Sequence, residues 1–210
     1  MTSGSTTGLI LASGSMTRRR LLAGTGLEFQ VMPAAVDEAA LKATALREGR
    51  SPAAIALTLA REKASIISQL MPDDLVLAAD QILAVGDSLL DKPVGREGLK
   101  SHLALLGGRV HFLVNGVTLM RAGAVIWSYS DRCEMEMRPL SAHEQAVYVA
   151  DAPDAVLSSV GGYRIEAEGI HLFQRMAGDW SSILGLPLLP VLVALRQAGI
   201  EWRGGGRETE

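Results

Sequence analysis

Charged side chains stand at several points where the surrounding pattern predicts buried or sharply turned backbone. Asp80 follows the apolar run 76–79, Lys63 lies close to the apolar stripe of a predicted helix, and Lys92 is in a loop fixed by Pro93. A carboxylate at the end of a buried strand can bind a cation or accept a proton. Lysines can neutralise an anion. Together these groups indicate a site for a phosphate ester and a divalent metal ion.

The stretch LASGSMTRRRLL, residues 11–22, combines the end of a strand, a turn of small residues and the start of a helix. The free N–H groups of a helix N-terminus attract anions, and Ser13 and Ser15 add hydroxyl groups. Arg18 falls in the first helical turn, where a cation is unfavourable unless an anion binds there. In the alternative interpretation, Ser15 or Thr17 only caps the helix and the arginines are solvated. The stretch alone favours neither.

The other charged residues also have structural explanations. Lys63 can pack its stem against the core while its ammonium group reaches water. Asp80 can simply begin a turn at the end of a strand, and Asp37 and Glu38 can stabilise the helix that they open. The residue types and their spacing leave these alternatives open.

Composition limits the class of protein. The chain has 210 residues, of which 48% are hydrophobic and 20% charged, so we expect one domain or two small ones sharing a core. A net charge of −3 gives no general attraction for nucleic acid. A single cysteine, Cys133, excludes an internal disulfide and a cysteine-based zinc site, and favours a reducing cytoplasm. The N-terminus lacks the pattern of a signal peptide, and the apolar run 183–195 is too short to span a membrane.

Strands alternate with helices along the chain, which predicts an α/β fold with a mixed sheet. We expect strands in residues 8–12, 27–36, 74–79, 109–120 and 124–137, a polar break at Asp80 and Gln81 followed by a hairpin near Gly86, and two short strands within 162–179. We expect helices in residues 17–26, 37–49, 51–70 (capped by Ser51), 98–108, 141–151 (capped by Ser141) and in the C-terminal stretch 180–199. Residues 203–210 are typical of a flexible tail.

Taken in order, these segments resemble the Maf family of nucleotide pyrophosphatases over residues 9–199. LILASGSMTRRRLL resembles the family's opening motif LASxSxxRxxLL. The family's acidic step corresponds to VDE and its lysine helix to LAREKA. Its strand-end aspartate corresponds to VLAADQ and its second lysine to DKP. LLGGRVHFLVNGV, VGGYRIEAEG and ILGLPLLPVLVALRQAG resemble its later motifs.

The resemblance implies one catalytic domain, residues 1–202, with two lobes around a deep cleft, a twisted sheet with flanking helices like the inosine triphosphate pyrophosphatases, and a homodimer. It implies hydrolysis of a nucleoside triphosphate to the monophosphate and pyrophosphate with Mg²⁺ or Mn²⁺. From the net charge and the short apolar runs we expect no nucleic-acid or membrane partner. The implied roles are phosphate binding for Ser13, Ser15 and Arg18, charge neutralisation for Lys63 and Lys92, metal binding for Glu38 and Asp80, and proton abstraction from water for Asp80. Arg19 and Arg20 have no family counterpart and are expected on the surface.

Three positions bear on base selection within the family. Gln81 follows Asp80 in the sequence ADQ, whereas the branch that acts on dTTP and UTP resembles ADT at this place. Glu166 stands where that branch has glutamine. Both residues resemble the branch that acts on 7-methyl-GTP, whose cationic base also donates hydrogen bonds from its N1/N2 edge. Thr17, where a bulky residue is usual, does not fit that branch. Two alternatives are a nucleotide-binding regulator of cell division without turnover and a house-cleaning enzyme for non-canonical purine triphosphates.

Overall fold

A mixed seven-stranded sheet runs through the computed structural model, which describes residues 8–202. Its strands are β1 (Leu9–Leu11), β2 (Gln30–Val31), β3 (Leu75–Val85), β4 (Ser88–Leu90), β5 (Val110–Arg121), β6 (Ala124–Met137) and β7 (Phe173–Ala177). The spatial order is β2-β1-β3-β5-β6-β7, and β4 pairs with β3. Strand β1 is parallel to both of its neighbours, and the other pairs are antiparallel. The predicted α/β fold with a mixed sheet is confirmed.

Helices cover both faces of this sheet. They are α1 (Met16–Ala23), α2 (Glu38–Arg47), α3 (Pro52–Leu70), α4 (Gly95–Leu106), α5 (Ala142–Asp151), α6 (Trp180–Ile183) and α7 (Leu188–Gln197). Ser51 and Ser141 accept hydrogen bonds from backbone N–H groups in the first turns of α3 and α5, so both predicted N-caps are confirmed. The predicted C-terminal helix is divided into α6 and α7, because Gly185 has a φ of 96° and Pro187 follows it.

Strand β3 has no polar break, contrary to the prediction. It continues through Asp80 and Gln81, because β5 pairs with it from Val76 to Ala84. On the opposite edge, β1 ends at its pairing with Leu77 and β4 begins its pairing at Leu83. Residues 78–82 therefore have no described strand beside them on that edge. This interval, which we call the β3 gap, contains the two polar residues.

Side chains along β3 alternate between two helical layers. Val76 and Ala78 pack in the cluster that contains residues of α3, whereas Leu77 and Ala79 pack with residues of α7. Asp80 continues the first set, so the alternation directs its side chain toward α3. Gln81 continues the second set and faces the layer of α6 and α7. The two polar neighbours thus act on opposite faces of the sheet.

Two other predicted strands differ from the structure. The strand expected over 27–36 is limited to Gln30–Val31, and Pro33 just beyond it has no N–H group to donate. Only β7 forms within 162–179. The stretch before it contains short 3₁₀ turns instead of a strand, and the left-handed φ of 78° at Gly161 and Gly162 is incompatible with extended backbone at its start.

Across residues 8–202, no helix combines the length and the apolar composition required to cross a bilayer. The division of residues 1–202 into two lobes stays a prediction. The predicted tail, residues 203–210, lies outside the described residues.

Candidate active site

A cleft of about 850 Å³ opens beside the β3 gap. All ten residues that the sequence singled out line it: Ser13, Ser15, Thr17, Arg18, Glu38, Lys63, Asp80, Gln81, Lys92 and Glu166. They come from α1 and the turn before it, from α2, α3 and β3, and from two loops. The structure therefore brings together side chains that are up to 153 positions apart in the chain, from Ser13 to Glu166.

Lys63 links the two acids of the cleft. Its Nζ atom lies 2.6 Å from Oδ1 of Asp80 and 2.8 Å from Oε1 of Glu38. Lys63 is 8% exposed and Asp80 is 6% exposed, so neither behaves as a solvated surface charge. Glu38 is more accessible. Partial burial acts to raise the pKa of Glu38, but the hydrogen bond and the charge of Lys63 outweigh it and hold that pKa below its usual value.

A glycine on the neighbouring strand brings α3 close enough for this contact. Gly116 of β5 pairs directly with Asp80 and shares its face of the sheet. A Cβ atom at Gly116 would lie 2.3 Å from the backbone of Ala56 and of Leu57, both in α3. The missing side chain therefore allows the helix to touch the sheet. Lys63 is about two helical turns further along α3.

The turn before α1 holds a cation at the helix N-terminus. Oγ of Ser15 accepts a hydrogen bond from the backbone N–H group of Arg18, so Ser15 does cap the helix. The Nε atom of Arg18 donates to the carbonyl oxygen of Gly185 at 2.8 Å, and its Nη1 atom lies 3.5 Å from Oγ of Ser13. Burial lowers the pKa of Arg18, whereas the charges of Asp80 and Glu38 act to raise it. Arg18 thus belongs to the cleft and not to the solvated surface.

The other two arginines of the triplet differ from each other. Arg19 and Arg20 are both exposed, as expected, but Arg20 also lines the cleft. The sequence interpretation missed this residue, although its spacing from Met16 and Thr17 on α1 places it on a neighbouring part of the helix surface.

Lys42 is another cation that the sequence interpretation missed. It lines the cleft and forms an ion pair with Asp91, which connects α2 to the loop that carries Lys92. The charges of Lys42 and Lys92 also contribute to the low pKa of Glu38. Glu38 and Lys42 are four positions apart on one helix, a spacing that puts two side chains on the same face and could have identified Lys42.

Gln81 is held by a polar network on the opposite face of the sheet. Its Nε2 atom lies 3.2 Å from Oδ1 of Asn115 and 3.2 Å from the carbonyl oxygens of Ser182 and Ile183. Asn115 in turn contacts Asp131. The sequence interpretation included Gln81 but none of its partners, because no local spacing relates residues on separate strands.

Glu166 is paired with a nearby arginine. Both Nε and Nη2 of Arg164 donate to Oε1 of Glu166, at 3.0 and 2.9 Å. Both residues line the cleft. The Arg164 charge offsets that of the carboxylate, so Glu166 contributes a hydrogen-bond acceptor more than a net negative charge.

Comparison with known proteins identifies the family to which this chain belongs. A family model described as Maf-like protein matches residues 8–198. The chain belongs to the Maf family. A relative from Rhizobium johnstonii, named 7-methyl-GTP pyrophosphatase, is 42% identical over 191 residues, which is 91% of this chain and 96% of that protein. A relative from Rhodopseudomonas palustris, named nucleoside triphosphate pyrophosphatase, is 44% identical over 190 residues, which is 90% of this chain and 93% of that protein. Among solved structures, a HAM1 protein from Coxiella burnetii has 15% identity and a TM-score of 0.38, covering 63% of this chain and 73% of that one.

The cleft of this Maf-family chain has the charge pattern of a polyanion site. Six cationic side chains line it, compared with four acidic ones. Two of the acids, Asp91 and Glu166, are each paired with a cation of their own. Four cations, Arg18, Arg20, Lys63 and Lys92, remain against the two acids Glu38 and Asp80, so an anion entering the cleft meets an excess of positive charge.

The residues present fit a metal ion only in partnership with a substrate. Within residues 8–202, no group of three or more histidine, cysteine, aspartate or glutamate side chains is arranged to hold a metal. Glu38 and Asp80 do converge, because both contact the same nitrogen atom of Lys63. Mg²⁺ is commonly bound by one or two carboxylates together with phosphate oxygens and waters. The pair therefore suits a metal that arrives with a phosphorylated ligand.

Proposed function

We propose that this Maf-family chain hydrolyses a nucleoside triphosphate to the monophosphate and pyrophosphate. The observation that carries the proposal is the buried carboxylate of Asp80 inside a cleft with an excess of cations. The names of the relatives, 7-methyl-GTP pyrophosphatase and nucleoside triphosphate pyrophosphatase, support the same reaction class. An adaptor that only binds a partner needs no such buried acid beside an anion site.

In the proposed reaction, a water oxygen attacks the α-phosphorus while Asp80 accepts the proton that the water loses. The bond between the α-phosphorus and the bridging oxygen breaks, and pyrophosphate leaves with that oxygen. Lys63 holds the Asp80 carboxylate in place through its hydrogen bond. Arg18 and Lys92 stabilise the negative charge that develops on the leaving group. Ser13 and Ser15 contribute hydroxyl groups beside the N-terminus of α1, a position that favours phosphate oxygens.

Glu38 and Asp80 are the residues proposed to hold Mg²⁺ or Mn²⁺. Such an ion supplies Lewis-acid neutralisation of the phosphate oxygens. Treatment with a chelator should abolish pyrophosphate release, and added Mg²⁺ or Mn²⁺ should restore it. Full activity in the chelator would refute the metal assignment.

We propose 7-methyl-GTP as a better substrate than dTTP or UTP. Gln81 and Glu166 both line the cleft and offer hydrogen-bond acceptors of the kind that a guanine edge requires. Relatives named 7-methyl-GTP pyrophosphatase and relatives named nucleoside triphosphate pyrophosphatase are similarly identical to this chain. The relative rates for 7-methyl-GTP, dTTP and UTP must therefore be measured. We also propose a cytoplasmic homodimer; this part rests on the single cysteine and on the family resemblance.

The test is pyrophosphate release from 7-methyl-GTP, dTTP, UTP, CTP and ITP by the wild type and by Asp80→Asn. Loss of a catalytic electrostatic group typically costs about 10²–10³ in kcat, and the variant should lose at least that much while retaining its fold. Wild-type rates in Asp80→Asn would refute the role of Asp80. Tight nucleotide binding without release of pyrophosphate from any nucleotide would instead favour the regulator.

A further inference from the structure

Three polar side chains form a row across the middle of the sheet, which we call the amide row. Gln81 of β3 pairs directly with Asn115 of β5, and Asn115 pairs directly with Asp131 of β6. Directly paired residues on adjacent strands share a face of the sheet. The row therefore runs from the cleft, at Gln81, to Asp131, which does not line the cleft.

Asp131 and the neighbouring backbone carbonyl oxygens together determine the direction of the hydrogen bonds in the row. A carboxylate only accepts hydrogen bonds. Oδ2 of Asp131 lies 2.5 Å from Oγ of Ser182, and Oδ1 lies 2.8 Å from the amide nitrogen of Asn115. Asn115 must therefore direct its NH₂ group toward Asp131, and also toward the carbonyl oxygen of Ser182 at 2.9 Å. Its own oxygen, Oδ1, is left facing Gln81.

The orientation of Gln81 follows from that of Asn115. Oδ1 of Asn115 and the carbonyl oxygens of Ser182 and Ile183 all accept hydrogen bonds, so the side of Gln81 that faces them must be the NH₂ group. An inverted amide would place an oxygen against three oxygens. The Asn115 amide, which Asp131 orients, thus acts together with the two backbone carbonyl oxygens to fix which end of the Gln81 amide faces the cleft.

The free end is an acceptor. Oε1 of Gln81 has no hydrogen-bond partner among the described residues, and it is not one of the buried unpartnered polar atoms of residues 8–202. Gln81 is half-buried and lines the cleft. A ligand in the cleft therefore meets a fixed oxygen that requires an N–H donor.

We propose that Asp131 is a positioning residue for base selection, acting through Asn115 to present Oε1 of Gln81 to an N–H group on the edge of a guanine-type base. This rests on the proposed function. Guanine and 7-methylguanine offer adjacent donors at N1 and N2. Uracil and thymine offer a single N–H group with a carbonyl oxygen on each side. A fixed acceptor such as Oε1 of Gln81 repels these two carbonyl oxygens.

The test is the ratio of kcat/KM for 7-methyl-GTP to kcat/KM for UTP in Asp131→Asn. An amide at position 131 can donate, so Asn115 can invert and turn its NH₂ group toward that of Gln81. This removes one of the three acceptors that orient Gln81 and displaces its amide. Losing one hydrogen bond to the base should lower the ratio about tenfold. Asp87→Asn, in the exposed hairpin turn after β3, makes the same chemical change away from the row and should leave the ratio unchanged.

A double-mutant cycle separates positioning from general damage. Gln81→Met should lower the ratio by a similar factor, and adding Asp131→Asn to it should have no further effect, because Asp131 acts only through Gln81. Equal loss of kcat/KM for both nucleotides in Asp131→Asn would overturn the proposal, and so would independent, multiplying effects in the double variant.

Binding of the reaction products tests the row without turnover. Calorimetry with 7-methyl-GMP and UMP should show that Asp131→Asn lowers the ratio of the two affinities about tenfold. The affinity ratio can be measured even if the wild type releases no pyrophosphate. Absence of pyrophosphate release would refute the proposed function but not the role of the amide row. Equal affinity of the wild type for the two monophosphates would refute the amide row as a selector.

Discussion

Replacing Gly116 with alanine should push α3 away from the sheet and separate Lys63 from Asp80. The added Cβ atom would lie 2.3 Å from the backbone of two α3 residues, whereas carbon atoms in contact are about 3.5–4.0 Å apart. The helix must therefore retreat locally by more than about 1 Å. Overpacking of this kind costs roughly 1–3 kcal/mol, and we expect about 3 kcal/mol because backbone cannot rotate away as a side chain can.

The same displacement should reduce activity. The Lys63–Asp80 hydrogen bond is 2.6 Å long and does not survive a shift of the helix by more than about 1 Å. A misplacement of about that size can cost roughly 100-fold in rate. We therefore expect a lower free energy of unfolding in urea and a pyrophosphate-release rate reduced about 100-fold in the Gly116→Ala variant.

Gly24→Ala is the matched control. Gly24 has helical angles, φ −62° and ψ −15°, and a Cβ atom there would have its nearest neighbours at the ordinary distances of 3.4 and 3.5 Å. The Gly24→Ala variant should keep wild-type activity, and its free energy of unfolding should not fall but rise by about 0.4–1 kcal/mol, because alanine restricts the unfolded chain. Wild-type stability and turnover in Gly116→Ala would refute the argument that close packing at this glycine positions Lys63.

The remaining predictions concern two buried groups. Burial lowers the pKa of His111 to about 4 from 6.5, so the unfolded chain binds the extra proton first as the pH falls. This residue should lower the free energy of unfolding by about 3 kcal/mol between pH 6.5 and 4. Chemical denaturation across that range should show a smaller decrease of the unfolding free energy in His111→Gln than in the wild type. The variant His171→Gln, at an exposed histidine, should show the same decrease as the wild type. Lys63→Met leaves the buried Asp80 without its hydrogen-bonded ion-pair partner and should cost about 3–5 kcal/mol at pH 7. Adding Asp80→Asn should recover most of that stability without restoring turnover, and a double variant as unstable as the single one would contradict the ion-pair account.

Much of the architecture could be predicted because local patterns carry it. Ser51 followed by Pro52 marks the start of α3, and the mostly apolar stretch VHFLVNGVTLM marks β5, which is buried over most of its length. The break expected at Asp80 was wrong for a physical reason. The polar side chains do interrupt the apolar pattern, but the backbone hydrogen bonds to β5 do not depend on side-chain polarity.

Ten residues of the cleft are found from the sequence, but Arg20, Lys42 and the contacts within the cleft are not. Lys63 was identified as a cation near a helix stripe, yet its pairing with both Glu38 and Asp80 depends on how closely α3 approaches the sheet. That approach is determined by Gly116, which the sequence shows only as one of 22 glycines. Similarly, the orientation of Gln81 depends on residues of other strands, which only the register of the sheet brings together.

The adjacency of Asp80 and Gln81 has an evolutionary consequence. One strand assigns consecutive positions to opposite layers of the protein. With the roles proposed for Asp80 and Gln81, a substitution at Gln81 is expected to alter nucleotide preference while leaving the hydrolytic residues intact. Insertion or deletion of a single amino acid upstream in that strand would exchange the two layers and destroy both properties at once. Substitution should therefore diversify these enzymes here, and changes of length should be eliminated by selection.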